Sequence, residues 1–473
     1  MPFNTLLHFI GNIKMSLGVP IPGSLGRPKY YRLTLSLIIL NIAVYAISSF
    51  ENNFLGIGDY WLGVGGFVPL MITTPSQWYR VLSSMFLHSD PFHLLFNMYF
   101  LFIFGRAIEN SLGKGRFILL YLSSGIFASL FHTAFGFIEG TLSYTVPAIG
   151  ASGAISGILG AYLMLYPGTS LLMVLPIFLL PWIFWIKASY YIIFWFATQV
   201  IYGFTKTAGG TAVFAHAGGF VAGIALLSIL ANKNRIYQLR LLRSISFPNY
   251  LRFTRRAHRG LGRLTKVVLS LFMLSLLASS TYASFFSTDQ GSMKLMTIHY
   301  TCNSVSYNDY LGFRIQDLES QISNTPLTTT RILLNRLNAA ALLYNTTYAQ
   351  TKKELTIINW TSYLPIRLIL DSSSTTVAVP TTVYSFKGLY DQDGIVTYAE
   401  GLLTTNVVNI ALQGSIYKVT IGETLTYIFV ISSQSISLNL IQKYTGAIST
   451  ILTIFALALI VLRDKTLAIV GED

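Results

Sequence analysis

Cysteine is almost absent. Cys302 is the single one in 473 residues, which excludes an intramolecular disulfide and any metal site built from several thiolates. Charge is scarce as well: Asp, Glu, Lys and Arg make up 11% of the chain, against about 25% in soluble domains. Most of the sequence is therefore unsuited to a water-facing surface. Acidic residues are the scarcer half, 18 against 32 Lys and Arg. In a soluble chain the resulting charge of +14 would raise nucleic acid as a partner. Here the basic residues cluster beside apolar runs, as the cytoplasmic flanks of membrane spans do, and nucleic acid is set aside. Residues 1–30 have no small-residue cleavage site after a clean apolar core, so they read as a cytoplasmic N-terminal segment rather than a cleavable signal. No internal repeat is visible.

What the chain has in abundance is long apolar runs. A helix needs about 20 mostly apolar residues to cross a bilayer, and eight stretches qualify: 31–49, 92–109, 116–136, 148–166, 185–204, 212–231, 267–286 and 446–462. The apolar segment 170–184 is interrupted by Pro176 and Pro181 and reads as a buried or interfacial connection into the fifth span. The stretch 233–266 is rich in Lys and Arg without Asp or Glu, which makes it a cytoplasmic linker. Counting spans from there puts the basic N-terminal segment, 106–116 and the tail 463–473 on the same side. Every basic cluster then agrees with one topology.

That topology exports residues 287–445, where Ser, Thr and alternating patterns replace the apolar runs. The expected domain is small and α+β, with its helices near 308–322 and 328–350. Asn345 and Asn359 head glycosylation sequons in it. A partner outside the cytoplasm is conceivable for it. The basic run before "VVLSLFMLSLLASSTYAS" also resembles an internal signal sequence; an uncleaved anchor, 267–286, is the favoured reading.

Ionisable groups inside spans are costly and mark function. His93 and Asn97 stand four apart in the second span, on one helix face. Ser152 stands about four residues into the fourth span, and His216 about four into the sixth. All three spans run in one direction, so these groups are expected at one depth, a few ångströms below the outer surface. A serine hydroxyl needs a base to take its proton, and neutral imidazole is one. The small residues Gly153, Gly157 and Ala161, and Gly219 and Gly223, recur at four-residue intervals and let two helices approach within hydrogen-bonding reach. Asn97, His93 and the Ser152 N–H are candidate oxyanion donors. No Asp or Glu stands at that depth to orient His216, so the expected arrangement is a dyad. Acyl transfer by such a dyad calls for no metal or organic cofactor.

"GASG" at 150–153, "HLLFN" at 93–97 and "AHAGGFVAG" at 215–223 resemble, in order, the three signatures of the rhomboid intramembrane serine proteases. His88, the pair Tyr79–Arg80, and Glu109 in "GRAIENSLGKG" extend the likeness, which covers about 30–232. The resemblance implies a six-helix core over 31–232, with Ser152 as nucleophile and His216 as general base. His93, Asn97 and the Ser152 amide would form the oxyanion hole. Gly150, Gly153, Gly219, His88, Arg80 and Glu109 would support the site. The fold class expected is an all-α polytopic membrane protein, this core plus two further spans, carrying the exported α+β domain. It implies hydrolysis of peptide bonds in or near transmembrane segments of other proteins in the lipid bilayer of a cell membrane, with the site near the extracytoplasmic face. The chain departs from the family pattern at Tyr79, where Trp is frequent, and at Ser156, where many bacterial relatives carry an aromatic that stacks on the base. Ser156 could bond to His216 or simply pack, and packing is favoured. The rival classes are a non-catalytic rhomboid-like protein that binds or chaperones transmembrane clients, marked by loss of the serine or histidine, and a transporter, which would place polar groups on both sides of the midplane.

Overall fold

The computed structural model describes residues 31–177, 180–245, 260–286, 291–324, 329–348, 354–370, 373–413 and 416–472. The N-terminal segment, much of the basic linker, and His258 lie outside them. The described residues fall into two units: the chain up to Gln290 together with Asn439 onward, and Gly291–Leu438.

The first unit is helical. Its main helices are α1 (Arg32–Ser48), α2 (Pro91–Leu112), α3 (Lys114–Glu139), α4 (Ser152–Leu165), α5 (Ala188–Thr205), α6 (Val213–Leu230), α7 (Lys233–Ile245), α8 (Arg263–Phe285) and α11 (Leu438–Leu462). Five of them (α2, α3, α6, α8 and α11) are long and apolar enough to cross a membrane. At 17 and 14 residues, α1 and α4 are shorter. A 14-residue helix rises only about 21 Å, less than a bilayer core of about 30 Å. Brevity suits α4, because every residue from Gly153 to Leu165 is buried in protein. In α2 one π-helical turn, Leu101–Gly105, breaks the regular ladder.

Segment 170–187 corrects the expected connection. It forms an antiparallel hairpin, β1 (Ser170–Ile177) with β2 (Leu180–Lys187), in which Pro176 faces Pro181. Proline cannot donate to a ladder and is confined to edge strands; in a two-stranded ribbon both strands are edges. The fold is therefore not all-α even in this unit. The loops and short helices between α1 and α2 include Asp59–Gly65, and Gly150 N–H donates to Ser84 O, tying the entry of α4 to them.

The core of this unit is closed at both ends of α4 by distant parts of the chain. Gln442 Nε2 on α11 donates to Tyr144 Oη in the loop that leads to α4, at 2.6 Å. At the other end, the N–H groups of Ile469 and Val470 donate to Leu165 O, the carbonyl of the last residue of α4. These bonds satisfy a carbonyl that the helix itself leaves without a partner. Arg240 on α7 donates to Ala468 O, and Asp464 pairs with Lys266 on α8 at 2.9 Å.

The second unit is an antiparallel sheet of order β4–β3–β8–β7–β6–β5, with β3 at Ser292–Cys302, β4 at Val305–Phe313, β5 at Glu354–Leu370, β6 at Ser373–Tyr390, β7 at Val396–Gln413 and β8 at Ile416–Ser437. Two helices accompany it, α9 (Leu318–Asn324) and α10 (Thr329–Ala339). Residues 308–313, expected to be helical, are strand. The turn Asn303–Ser304 has positive φ at both residues (48° and 68°), the twist that joins two strands tightly. His299 bonds through Nδ1 to Asn308 Oδ1 across that hairpin.

Candidate active site

Ser152 is the first residue of α4, not the fourth as its apolar run implied: 148–151 are loop, held by a bridge between Phe67 and Ala148. Gly150 takes φ +120°, and a Cβ there would lie 2.8 Å from the His93 ring. Only glycine suits that position, since both the backbone and the neighbouring ring forbid a side chain. The tight turn brings Ser152 to the helix start, where backbone N–H groups have no partner within the helix.

α6 meets α4 along small residues. A Cβ on Gly219 would lie 2.0 Å from Gly153 O, and one on Gly223 the same distance from Gly157 O. The backbones therefore touch. Across this seam Ser152 Oγ and His216 Nε2 stand 2.8 Å apart, a good hydrogen bond.

The other ring nitrogen, His216 Nδ1, is 2.8 Å from Gln199 Oε1 on α5, a residue with 9% exposure. Trp195, one turn earlier, lies beside the imidazole with centroids 6.1 Å apart and a 32° tilt. The sequence reading missed both. Its search for an orienting group stopped at carboxylates, and its search for a stacking ring stopped at position 156. Ser156 donates to Ser152 O at 2.6 Å, within its own helix, and so packs rather than reaching His216.

His93 and Asn97 share the cavity with Ser152, His216 and Trp195; its volume is about 690 Å³. A Cβ on Gly150 would meet His93 Nε2 at 2.8 Å and Ser152 Oγ at 3.6 Å, so both atoms border that position. Ser89 Oγ stands 3.0 Å from His93 Nδ1, and Asp90 caps α2 by accepting from His93 N–H. Asn97 donates one amide N–H to His93 O at 2.9 Å. An amide carries two such hydrogens.

The remaining expected residues stand further out. His88 is buried, with its Nε2 accepting from Ala151 N–H at 3.5 Å. Burial, then the neighbouring His93, pushes its imidazole down to about 3, which keeps it neutral and able to accept. Arg80, also buried, donates to Gln77 Oε1 and to the carbonyls of Gly63 and Gly66, gathering the loop before α2. Glu109 accepts from Leu33 N–H, Thr34 N–H and Thr34 Oγ1–H. A carboxylate on the first turn of a helix satisfies its free donors and its dipole, so Glu109 locks α1 to α2. His132 pairs with Glu139 on α3 at 3.5 Å.

Residues 75–233, which hold Arg80, His93, Asn97, Ser152, Gln199 and His216, match the family model described as the rhomboid domain. The rhomboid protease AarA of Providencia stuartii is 36% identical over 147 residues, 27% of this chain and 49% of that protein. Rhomboid protease GluP of Bacillus subtilis is 33% identical over 138 residues, 29% of this chain and 25% of its own. The mitochondrial rhomboid protein 1 of Saccharomyces cerevisiae is 30% identical over 141 residues, 30% of this chain and 38% of its own. The chain thus spans about half or less of the curated relatives it matches. With its buried small-residue seam inside that domain and five helices fit to cross a bilayer, this multi-pass membrane protein carries a rhomboid-family domain over residues 75–233.

Proposed function

We propose that the chain is an intramembrane serine endopeptidase acting on transmembrane segments of other proteins. The observation that carries this reading is the 2.8 Å contact between Ser152 Oγ and His216 Nε2 across the glycine seam. Ser152 attacks the scissile carbonyl while His216 takes its proton and later returns it to the leaving amine, the division of labour of serine hydrolases. His93, the free N–H of Asn97 and the Ser152 backbone N–H receive the oxyanion, supported by their shared cavity. The relatives named as proteases support the same activity. Substrate helices must unwind to be cut, because an intact helix shields its carbonyls in its own hydrogen bonds. The site faces the extracytoplasmic side of a cell membrane, and residues 287–445 are exported. The distribution of Lys and Arg supports both statements.

A serine-directed fluorophosphonate tests the reading. Wild type takes up label and cuts a test transmembrane substrate; Ser152→Ala does neither. A folded wild type that stays unlabelled and leaves the substrate intact defeats it, and favours a client-binding rhomboid relative.

A further inference from the structure

The polar contacts on the far side of His216 form a chain with one direction. Thr198 Oγ1 donates its only proton to Trp195 O at 2.6 Å, within α5. That leaves the hydroxyl oxygen as an acceptor. Gln199 Nε2 faces this oxygen at 3.3 Å and Trp195 O at 3.5 Å. Both of those partners accept, so the side of the Gln199 amide turned toward them must be its NH₂. The opposite side, facing His216 Nδ1 at 2.8 Å, is then the carbonyl oxygen. A carbonyl in that place needs a hydrogen on Nδ1. A neutral imidazole with its proton on Nδ1 has a bare Nε2, and Nε2 is the atom 2.8 Å from Ser152 Oγ.

We infer that Gln199, its amide held the right way round by Thr198, is a positioning residue that fixes the tautomer and angle of His216. This deepens the peptidase reading and rests on it. A carboxylate in the same role would also stabilise the imidazolium formed during reaction; an amide supplies a dipole only. The chain thus completes a Ser–His–Gln relay of hydrogen bonds in which the third member carries no charge. The ionisable groups that act on His216 from other elements are His93 on α2 and His132 on α3, while the atom within hydrogen-bonding distance of Nδ1 is Gln199 Oε1.

The experiment reads the rate of fluorophosphonate labelling against pH in the full-length protein, per folded molecule. Gln199→Met keeps the side chain's length and removes its oxygen; the rate falls about 10²-fold, the cost of a reacting group misplaced by about 1 Å. Gln199→Glu keeps an acceptor on Nδ1 and adds charge, so it labels well and its acidic limb moves to higher pH by about one unit or more. A position turned away from His216 would not move that limb. Thr198→Val frees the amide to turn over and gives a rate between wild type and Gln199→Met. Should Gln199→Met fail to fold, the limb of Gln199→Glu decides alone. Wild-type rates in Gln199→Met, or an unmoved limb in Gln199→Glu, overturn the inference while leaving the peptidase reading intact. An unlabelled wild type overturns both.

Discussion

Against α4, helix α6 lies backbone to backbone; against α5 it keeps a full layer of side chains between. On the first side Gly219 and Gly223 touch the carbonyls of Gly153 and Gly157. On the second, Phe196 stacks on Phe220 with centroids 4.3 Å apart, and Trp195 lies near both Phe220 and His216. Ser152 comes from the side where the helices cannot move apart without losing contact altogether. The groups that touch the His216 ring from α5 come from the side where aromatic rings fill the gap. Closeness and orientation are thus supplied by different physical means, and each should fail in its own way.

The greatest loss is expected at the tight seam. Gly219→Val places its Cβ 2.0 Å from Gly153 O, so α4 and α6 must separate. Overpacking of this kind costs about 1–3 kcal/mol, and the Ser152–His216 bond is lost with it. Labelling should drop to the level of Ser152→Ala, while thermal unfolding in detergent records the smaller loss of stability. A Gly219→Val protein that labels normally would show the seam to be looser than drawn. The next effect belongs to the aromatic side. Trp195→Leu removes a ring beside His216 but leaves Gln199, and aromatic pairs contribute about 0.5–1.5 kcal/mol. A fall in labelling rate of up to about tenfold is expected, and a loss as deep as that of Gly219→Val would erase the distinction between the two sides. The least is expected at Ser156→Ala, which removes only a bond to a carbonyl in its own helix. Such bonds slightly destabilise helices, so stability should stay within about 0.5 kcal/mol and labelling unchanged. A large effect there would give Ser156 the role at His216 that Trp195 and Gln199 now hold.

The tight side was the legible one. Small residues at four-residue intervals have one meaning in an apolar run, and Ser152 and His216 announced themselves as polar groups of matching depth. The start of α4 was misplaced because Ala148, Ile149 and Ala151 are apolar and extend the run past its true beginning. The aromatic side was illegible for a different reason. Gln199 sits among Trp, Phe, Ile and Tyr, and an amide in such company reads as a stray packing residue. Depth would have found it: Gln199 is six residues before the end of α5 and His216 three after the start of α6, on either side of one short loop. The same count that paired His216 with Ser152 pairs it with Gln199. The hairpin at 170–187 escaped because its strands are apolar throughout and lack the alternation that marks a strand. In the sheet unit, β6 and β8 showed that alternation and were expected as strands, whereas β4 was hidden by a pattern short enough to suit a helix.

The hydrogen bonds that Ile469, Val470 and Gln442 make at the two ends of the serine-bearing helix bear on how the protein can be handled. An expression plasmid cut after the recognisable family domain, near residue 233, would deliver a polypeptide whose serine-bearing helix has lost these distant partners at both tips. A purification tag fused close behind Val470 would press on the same spot. Inactivity in such a preparation would report on the cloning rather than on the protein, and a tag placed away from this segment is the remedy.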